Sequence, residues 1–255
     1  MIRSFVVLFM GLMLCLSCSG DKSTPDWKSM KILKVGTDAT YPPFEMVNVE
    51  TGQPEGFDID IMKEICLINN WKAEFIITPF DGIISGLKGK KYDCVISAMT
   101  ITPERQAIVD FSESYYLAGQ VIAVPLDNES ILSVEDLRGR KVGVQLGTTG
   151  ERMAKSFQGV SVFSFENIGA AFIDMNNGQI DAVLNDLPTT TEYIRRTGTA
   201  KTVGELLSKE YYGIAVRKNE TELLQKINNA LSIIKDKGLY DSLSGIWFDI
   251  SAVRD

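Results

Sequence analysis

The tripeptide Lys-Val-Gly stands at 34–36 and again at 141–143, and each copy is followed later by a second run built on one plan. The first copy leads to Tyr92-Asp93-Cys94-Val95-Ile96-Ser97, the second to Ile180-Asp181-Ala182-Val183-Leu184-Asn185-Asp186. Both runs read apolar, Asp, small, Val, apolar, polar, which is a buried strand that turns polar at its carboxyl end. The echo is loose and has no short fixed period of the solenoid kind. A chain that writes one two-strand plan twice is held to two similar lobes.

Strand and helix signals alternate around these runs. Strands are expected at 31–36, 75–78, 92–96, 120–124, 141–145, 162–165, 180–184 and 211–216. Ile61, Ile65 and Ile68, with Met62 beside them, fall at helical spacing within Phe57 to Asn70. Asp81 is expected to cap a helix through Ile83, Ile84 and Leu87 that Gly89 closes. Ser133-Val134-Glu135-Asp136 has the form of a capping box. Gly147-Thr148-Thr149 opens another helix, and Asn167 caps one carrying Ile168, Ala171, Phe172 and Met175. A helix follows at 188–196, and two more close the chain, with Leu223, Ile227, Leu231 and Ile234 on one face of the first. This alternation predicts an α/β fold with mainly parallel sheets.

The chain contains no histidine, which removes Ser-His-Asp and Cys-His catalysis, and no cofactor or metal site is expected. A net charge of −7 argues against nucleic acid as a partner. Arg3 and the 12-residue apolar run Phe5 to Leu16 suit a signal sequence and are too short to span a bilayer. Leu14-Cys15-Leu16-Ser17-Cys18 resembles a bacterial lipoprotein cleavage box, with Cys18 as the lipid acceptor; an ordinary cleaved signal with free export is the other reading. Residues 1–17 are therefore expected to be the signal peptide and 18–30 a lipidated tether. Cys66, on a predicted helix, and Cys94, in a predicted strand, are expected to be two buried thiols, with pairing as the alternative.

In open α/β sheets ligands bind beyond the carboxyl ends of strands. The residues found there are Asp38 and Tyr41, then Phe80, then Ser97, Ala98, Thr100 and Arg105. In the second half they are Gln145, Thr148, Thr149, Asn185 and Asp186. Thr102-Pro103-Glu104-Arg105 is a helix start whose amide groups and arginine suit a carboxylate. Asp186 supplies the opposite sign, Tyr41 and Phe80 offer flat apolar walls, and Asp38 suits a charged side-chain end. Each has a plainer reading. Arg105 pairs with Glu104 or Asp110 on the surface, Asp186 caps the helix at Pro188, Phe80 is core, and Thr148 is only an N-cap. Their joint placement after successive strands favours a site.

The segments GTDATYPPFE (36–45), GFDIDIMKEI (56–65), FDGIISGL (80–87), ITPERQAIVDFSESYY (101–116), VGVQLGTT (142–149), DAVLNDLP (181–188) and YYGIAV (211–216) resemble the polar amino-acid solute-binding proteins of bacterial ABC importers. That group, solute-binding protein family 3, includes glutamine, histidine and lysine/arginine/ornithine binders. The resemblance implies a two-lobed type II periplasmic-binding-protein fold, each lobe a mixed sheet flanked by helices. Two hinge strands, near 117–121 and 209–214, would join lobe 1 (31–118 plus 213–255) to lobe 2 (119–212). It implies that Arg105 binds a ligand α-carboxylate with hydroxyls of Ser97, Thr100 and Thr149, and that Asp186 binds the α-ammonium. Tyr41 and Phe80 would sandwich the side chain, Asp38 and Gln145 meet its polar end, and Asn185 line the floor. Ala73 stands where basic-residue binders place the second cysteine of a short disulfide. Gln145 and Asn185 depart from the Lys and His of glutamine binders.

The class implied is a monomeric, lipid-anchored periplasmic receptor that hands a polar or basic amino acid to an ABC importer permease. Glutamine, arginine, lysine and histidine are the ligands in view. Asp38 disfavours an acidic ligand. An amino-acid sensor module, whose signalling would need a separate partner, is one alternative. A cyclohexadienyl-dehydratase-like enzyme is the other, with Asp38 and Glu45 as its acid–base candidates.

Overall fold

The computed structural model describes residues 30–248, so the leader and Cys18 lie outside the described residues. In chain order, β1 (Lys31–Thr37), β2 (Thr40–Tyr41), β3 (Glu45–Val47) and β4 (Pro54–Glu55) precede α1 (Phe57–Ile68). Next come β5 (Trp71–Ile77), α2 (Phe80–Lys88), β6 (Cys94–Val95), α3 (Pro103–Gln106) and β7 (Val109–Phe111). Then β8 (Tyr116–Ala118) and β9 (Gln120–Pro125) lead through a 3-10 turn (Val134–Leu137) to β10 (Lys141–Gln145), α4 (Thr149–Ser156), β11 (Ser161–Phe165) and α5 (Ile168–Asn176). The chain continues with β12 (Ala182–Asp186), α6 (Leu187–Thr197), β13 (Ala200–Val203), β14 (Glu210–Tyr212), β15 (Ala215–Arg217), α7 (Thr221–Asp236) and α8 (Leu239–Phe248).

Two five-stranded sheets result, in the orders β5-β1-β6-β15-β7 and β11-β10-β12-β9-β13. In each, three strands run parallel and the last two join antiparallel. The repeated plan is a repeated register. Val35 and Gly36 pair with Cys94 and Val95, and Val142 and Gly143 pair with Ala182 and Val183. The shared aspartate closes the same ring in both lobes. Asp93 Oδ2 accepts the Lys34 N–H at 3.0 Å, and Asp181 Oδ2 accepts the Lys141 N–H at 2.7 Å. The shared glycine leaves room for the apolar residue ahead of that aspartate. A Cβ on Gly36 would lie 2.6 Å from the Tyr92 ring, and one on Gly143 would lie 2.4 Å from Ile180 Cδ1.

The core follows the period of two. Val35, Cys94 and Ile96 meet Ile61 and Ile65 of α1 and Ile227 and Leu231 of α7, while Val95 and Ala215 face Ile83 and Leu87 of α2. Val142, Val144, Ala182 and Leu184 build the corresponding layer over Ala154 of α4. Cys66 and Cys94 are buried and unpaired, and burial pushes the Cys66 thiol up to about 12.

The chain passes between the sheets at β8 and β14, which pair antiparallel as Tyr116↔Tyr212, Leu117↔Tyr211 and Ala118↔Glu210. The run expected as one strand at 211–216 is two, because Gly213 and Ile214 leave the ladder to meet Met99 and Ser112. The strand expected at 180–184 lies at Ala182–Asp186, so Asn185 and Asp186 end it rather than follow it. Asp81 does not cap α2. The helix begins one residue earlier, behind Pro79, and Asp81 sits in its first turn.

Candidate ligand-binding site

The strand ends of both lobes face one another. After β1 and after β6 the backbone turns through a left-handed alanine, Ala39 at φ 55° and Ala98 at φ 43°. Such residues cost roughly 1–2 kcal/mol and persist where neighbours fix them. Here Asp58 Oδ2 takes the Ala98 N–H at 2.7 Å, and Ser97 Oγ takes the Asp38 N–H at 3.2 Å. Asp58 is fully buried on the first turn of α1, its Oδ1 has no partner, and burial raises its carboxyl to about 7.

Between the lobes lies a small cavity of about 20 Å³. Asp38, Tyr41, Phe80, Ser97, Ala98, Thr100 and Arg105 line it from one side, and Gln145, Thr148, Thr149 and Asp186 from the other. Glu45, named above only as an acid–base candidate, joins them. Asn185 does not line it. Its Oδ1 accepts the Tyr41 hydroxyl at 2.6 Å and its Nδ2 reaches Thr190, so it braces Tyr41 from behind.

Arg105 is 8% exposed, and burial lowers its guanidinium to about 10. Its Nη1 donates to the Thr100 carbonyl at 2.7 Å, and its Nη2 donates across the cleft to the Gly147 carbonyl at 3.1 Å. Its plainer partners are engaged elsewhere: Glu104 with Arg152 at 2.9 Å and Asp110 with Lys218 at 2.7 Å. Among the described residues no carboxylate forms an ion pair with it. The guanidinium lies 5.2 Å from the centroid of Phe80, whose ring packs partly on the core below. Thr102 caps the four-residue α3 and takes the Arg105 N–H, so the anion-binding capacity expected of this helix start resides in the guanidinium. Thr148 is the N-cap of α4 and also lines the cavity.

The expected hydroxyl donors have other acceptors. Ser97 donates to Glu45, and Thr100 and Thr149 each donate to Glu210 Oε2 at 2.6 Å. Glu45 also receives Thr37, and burial, with Asp58 and Asp38 nearby, holds its carboxyl well above the usual range. Asp186 sits at the N-cap position of α6 without making a capping bond. Its Oδ2 instead accepts Tyr41 at 2.8 Å and Tyr212 at 2.6 Å, and its Oδ1 accepts from Gln120. Burial first and the Glu210 charge second raise it to about 7.

At the other end Asp38 Oδ2 accepts Thr40 at 2.5 Å and Gln145 Nε2 at 2.9 Å, and burial raises its carboxyl. Gln145 Nε2 also reaches the Glu166 carbonyl at 3.3 Å. Both amide hydrogens are thus engaged, and Gln145 Oε1 remains as an acceptor. Gln120, Glu210 and Tyr212 were missed in the sequence, and Glu45 entered it only as an acid–base candidate. The only signal was their position at strand ends, where Glu210 and Tyr212 bound one interlobe crossing and Gln120 follows the other.

The profile of the bacterial extracellular solute-binding proteins, family 3, matches residues 33–250. ABC transporter arginine-binding protein 1 of Escherichia coli K12 is 36% identical over 222 residues, covering 85% of this chain and 90% of that protein. The histidine-binding periplasmic protein of the same strain is 32% identical over 228 residues, covering 85% and 87%. An ancestral arginine-binding protein bound to arginine superposes with a TM-score of 0.82 at 47% identity, covering 85% of this chain and 98% of that one. An ancestral arginine-binding protein bound to glutamine does so with 0.82 at 48%, covering 85% and 97%. The ancestral amino acid-binding protein AncCDT-1, a precursor of cyclohexadienyl dehydratase, gives 0.81 at 43%, covering 85% and 95%. The doubled sheet plan, the facing strand ends and the match over nearly the whole described chain lead to one assignment: this protein belongs to the bacterial extracellular solute-binding proteins, family 3.

Proposed function

We propose that this chain is the extracytoplasmic receptor of an amino-acid importer and that its ligand is an L-amino acid whose side chain ends in hydrogen-bond donors. The layout of charge in the cavity carries the reading. Arg105 offers two-pronged binding to a carboxylate, Asp186 offers a counter-charge for an α-ammonium, and Asp38 with Gln145 Oε1 forms an acceptor pair at the far end. Arginine satisfies all three, as do lysine, histidine and glutamine with fewer donors. The relatives named for arginine and histidine support this class.

On this reading lobe 1 is 31–118 with 213–255, lobe 2 is 119–212, and closure turns about the paired crossings. The receptor acts as a monomer, is tethered through Cys18, and delivers its ligand to a permease. The test is calorimetric titration of refolded, ligand-stripped protein against the twenty amino acids and ornithine. Tight binding of one or two of the named ligands, lost in R105A and D186A, is the expected result. No binding across the panel overturns the reading.

A dehydratase is the second reading, favoured by the likeness to AncCDT-1 and by the buried carboxyls Glu45, Asp58 and Asp186. Turnover of a cyclohexadienyl acid by wild-type protein, abolished in E45Q, would establish it in place of the receptor.

A further inference from the structure

Glu210 lies on one of the two crossings between the lobes and is buried, 7% exposed. Its Oε2 is shared by two hydroxyls, Thr100 from the first lobe and Thr149 from the second, each at 2.6 Å, and its Oε1 receives Ser208 at 3.0 Å. Those lengths are typical of a hydroxyl donating to a carboxylate. A threonine hydroxyl has one proton and two lone pairs. With that proton donated in a hydrogen bond to Glu210, Thr100 presents only lone pairs to the cavity it lines. Thr149 is filled further, because its oxygen also receives Gln120 Nε2 at 3.3 Å.

We infer that Glu210 is a positioning residue for ligand selection: it turns the Thr100 hydroxyl into an acceptor, so that this hydroxyl receives an α-ammonium and offers no proton to a carboxylate. The inference rests on the receptor reading above and extends it to a residue that touches no ligand. Asp186, whose carboxylate receives two tyrosines and Gln120, lines the same cavity from the other side and adds a second acceptor. Arg105 supplies donors: its Nη1 is tied to the carbonyl of Thr100, not to its hydroxyl.

The test compares affinities for L-arginine and L-glutamine with those for 5-guanidinopentanoate and 5-amino-5-oxopentanoate, the same molecules without the α-amino group. Glu210→Met frees both hydroxyl protons, whereas Glu210→Gln keeps an acceptor in place. E210M should reduce the preference for the amino acid over its des-amino analogue by about tenfold, the worth of one charge-assisted hydrogen bond. E210Q should retain most of that preference. Thr100→Val should lose it as E210M does, and E210M added to T100V should cost no further preference. T100V also decides the matter if E210M does not fold. A wild-type preference in E210M or in T100V, or an E210Q as impaired as E210M, overturns the inference. Wild-type protein that binds neither amino acid overturns the receptor reading, and the inference with it.

Discussion

The Asp38 carboxylate and the Gln145 carboxamide meet across the cleft at 2.9 Å, joining the end of β1 in one lobe to the end of β10 in the other. Because Gln145 spends both amide hydrogens on Asp38 and the Glu166 carbonyl, the two side chains together present acceptors and no donor. Asp38 also lies next to Phe80, whose N–H it receives. A ligand reaching this end therefore needs N–H groups, and a cationic end gains from the carboxylate.

Asp38→Asn separates those contributions. The amide keeps an acceptor for Thr40 or Gln145 and loses the charge. Affinity for arginine should fall roughly 10- to 100-fold, the range of a hydrogen bond to a charged group, while affinity for glutamine falls much less. Calorimetric titration of both ligands on both proteins measures this. Equal losses for the two would mean that Asp38 positions Gln145 and does not read ligand charge.

Asp58 lies behind the site and leaves its mark on stability. Its carboxyl, raised to about 7 by burial, holds a proton in the folded state that the unfolded chain gives up near its ordinary value of 3.8. Its contribution is therefore fully present below pH 3.8 and is lost as pH rises through about 7. Asp58→Asn keeps an oxygen for the Ala98 N–H and the Tyr115 hydroxyl and removes the titration. Relative to wild type, D58N should gain roughly 2–4 kcal/mol between pH 4 and pH 8. Urea unfolding of ligand-free protein at several pH values reads the difference, and parallel curves for the two proteins would contradict it.

The paired glycines make a contrast within one molecule. A methyl at Gly36 meets the Tyr92 ring at 2.6 Å, and that ring is pinned by its hydroxyl bond to the Ile83 carbonyl at 2.5 Å. A methyl at Gly143 meets only the terminal Cδ1 of Ile180 at 2.4 Å, and Ala171 at 3.0 Å. Gly36→Ala should thus cost about 2–3 kcal/mol and Gly143→Ala nearer 1 kcal/mol. Denaturant midpoints of the two variants decide it, and a larger loss at Gly143 would reverse the argument.

What could be read in the sequence follows the same physics. The lobes were legible because pairing register repeats, and the repeated Lys-Val-Gly and apolar-Asp residues are those that close the first ring and pack beside it. Asp38 and Asp186 were legible because they stand at the ends of β1 and β12, and Arg105 because it stands at the helix start that follows β6. The hydroxyl partners of Glu45 and Glu210 were not, because they come from far along the chain: Ser97 lies 52 residues from Glu45, and Thr100 lies 110 from Glu210. Sequence names a threonine near a site and leaves its proton unassigned. Asn185 was misplaced for another reason. As the residue before Asp186 in β12 it points to the opposite face of the strand, away from the cavity and toward Thr190 and Tyr41.

Asp186 connects ligand binding to pH. Burial and Glu210 raise its carboxyl to about 7, against the lowering effects of the Tyr212 and Tyr41 hydroxyls and of Arg105. An ammonium placed beside it favours the ionised form and lowers that value, so the bound protein holds fewer protons than the free one. At pH 8 Asp186 is already ionised, and binding should release no proton. At pH 6 binding should release close to one, and affinity should weaken by up to about tenfold per pH unit below 7. Titrations in buffers of different ionisation enthalpy count the protons directly. The des-amino analogue carries no ammonium and should release none at either pH. If amino-acid binding at pH 6 shows no buffer dependence, the ammonium does not sit on Asp186 and the polarity assigned to this half of the cleft is wrong.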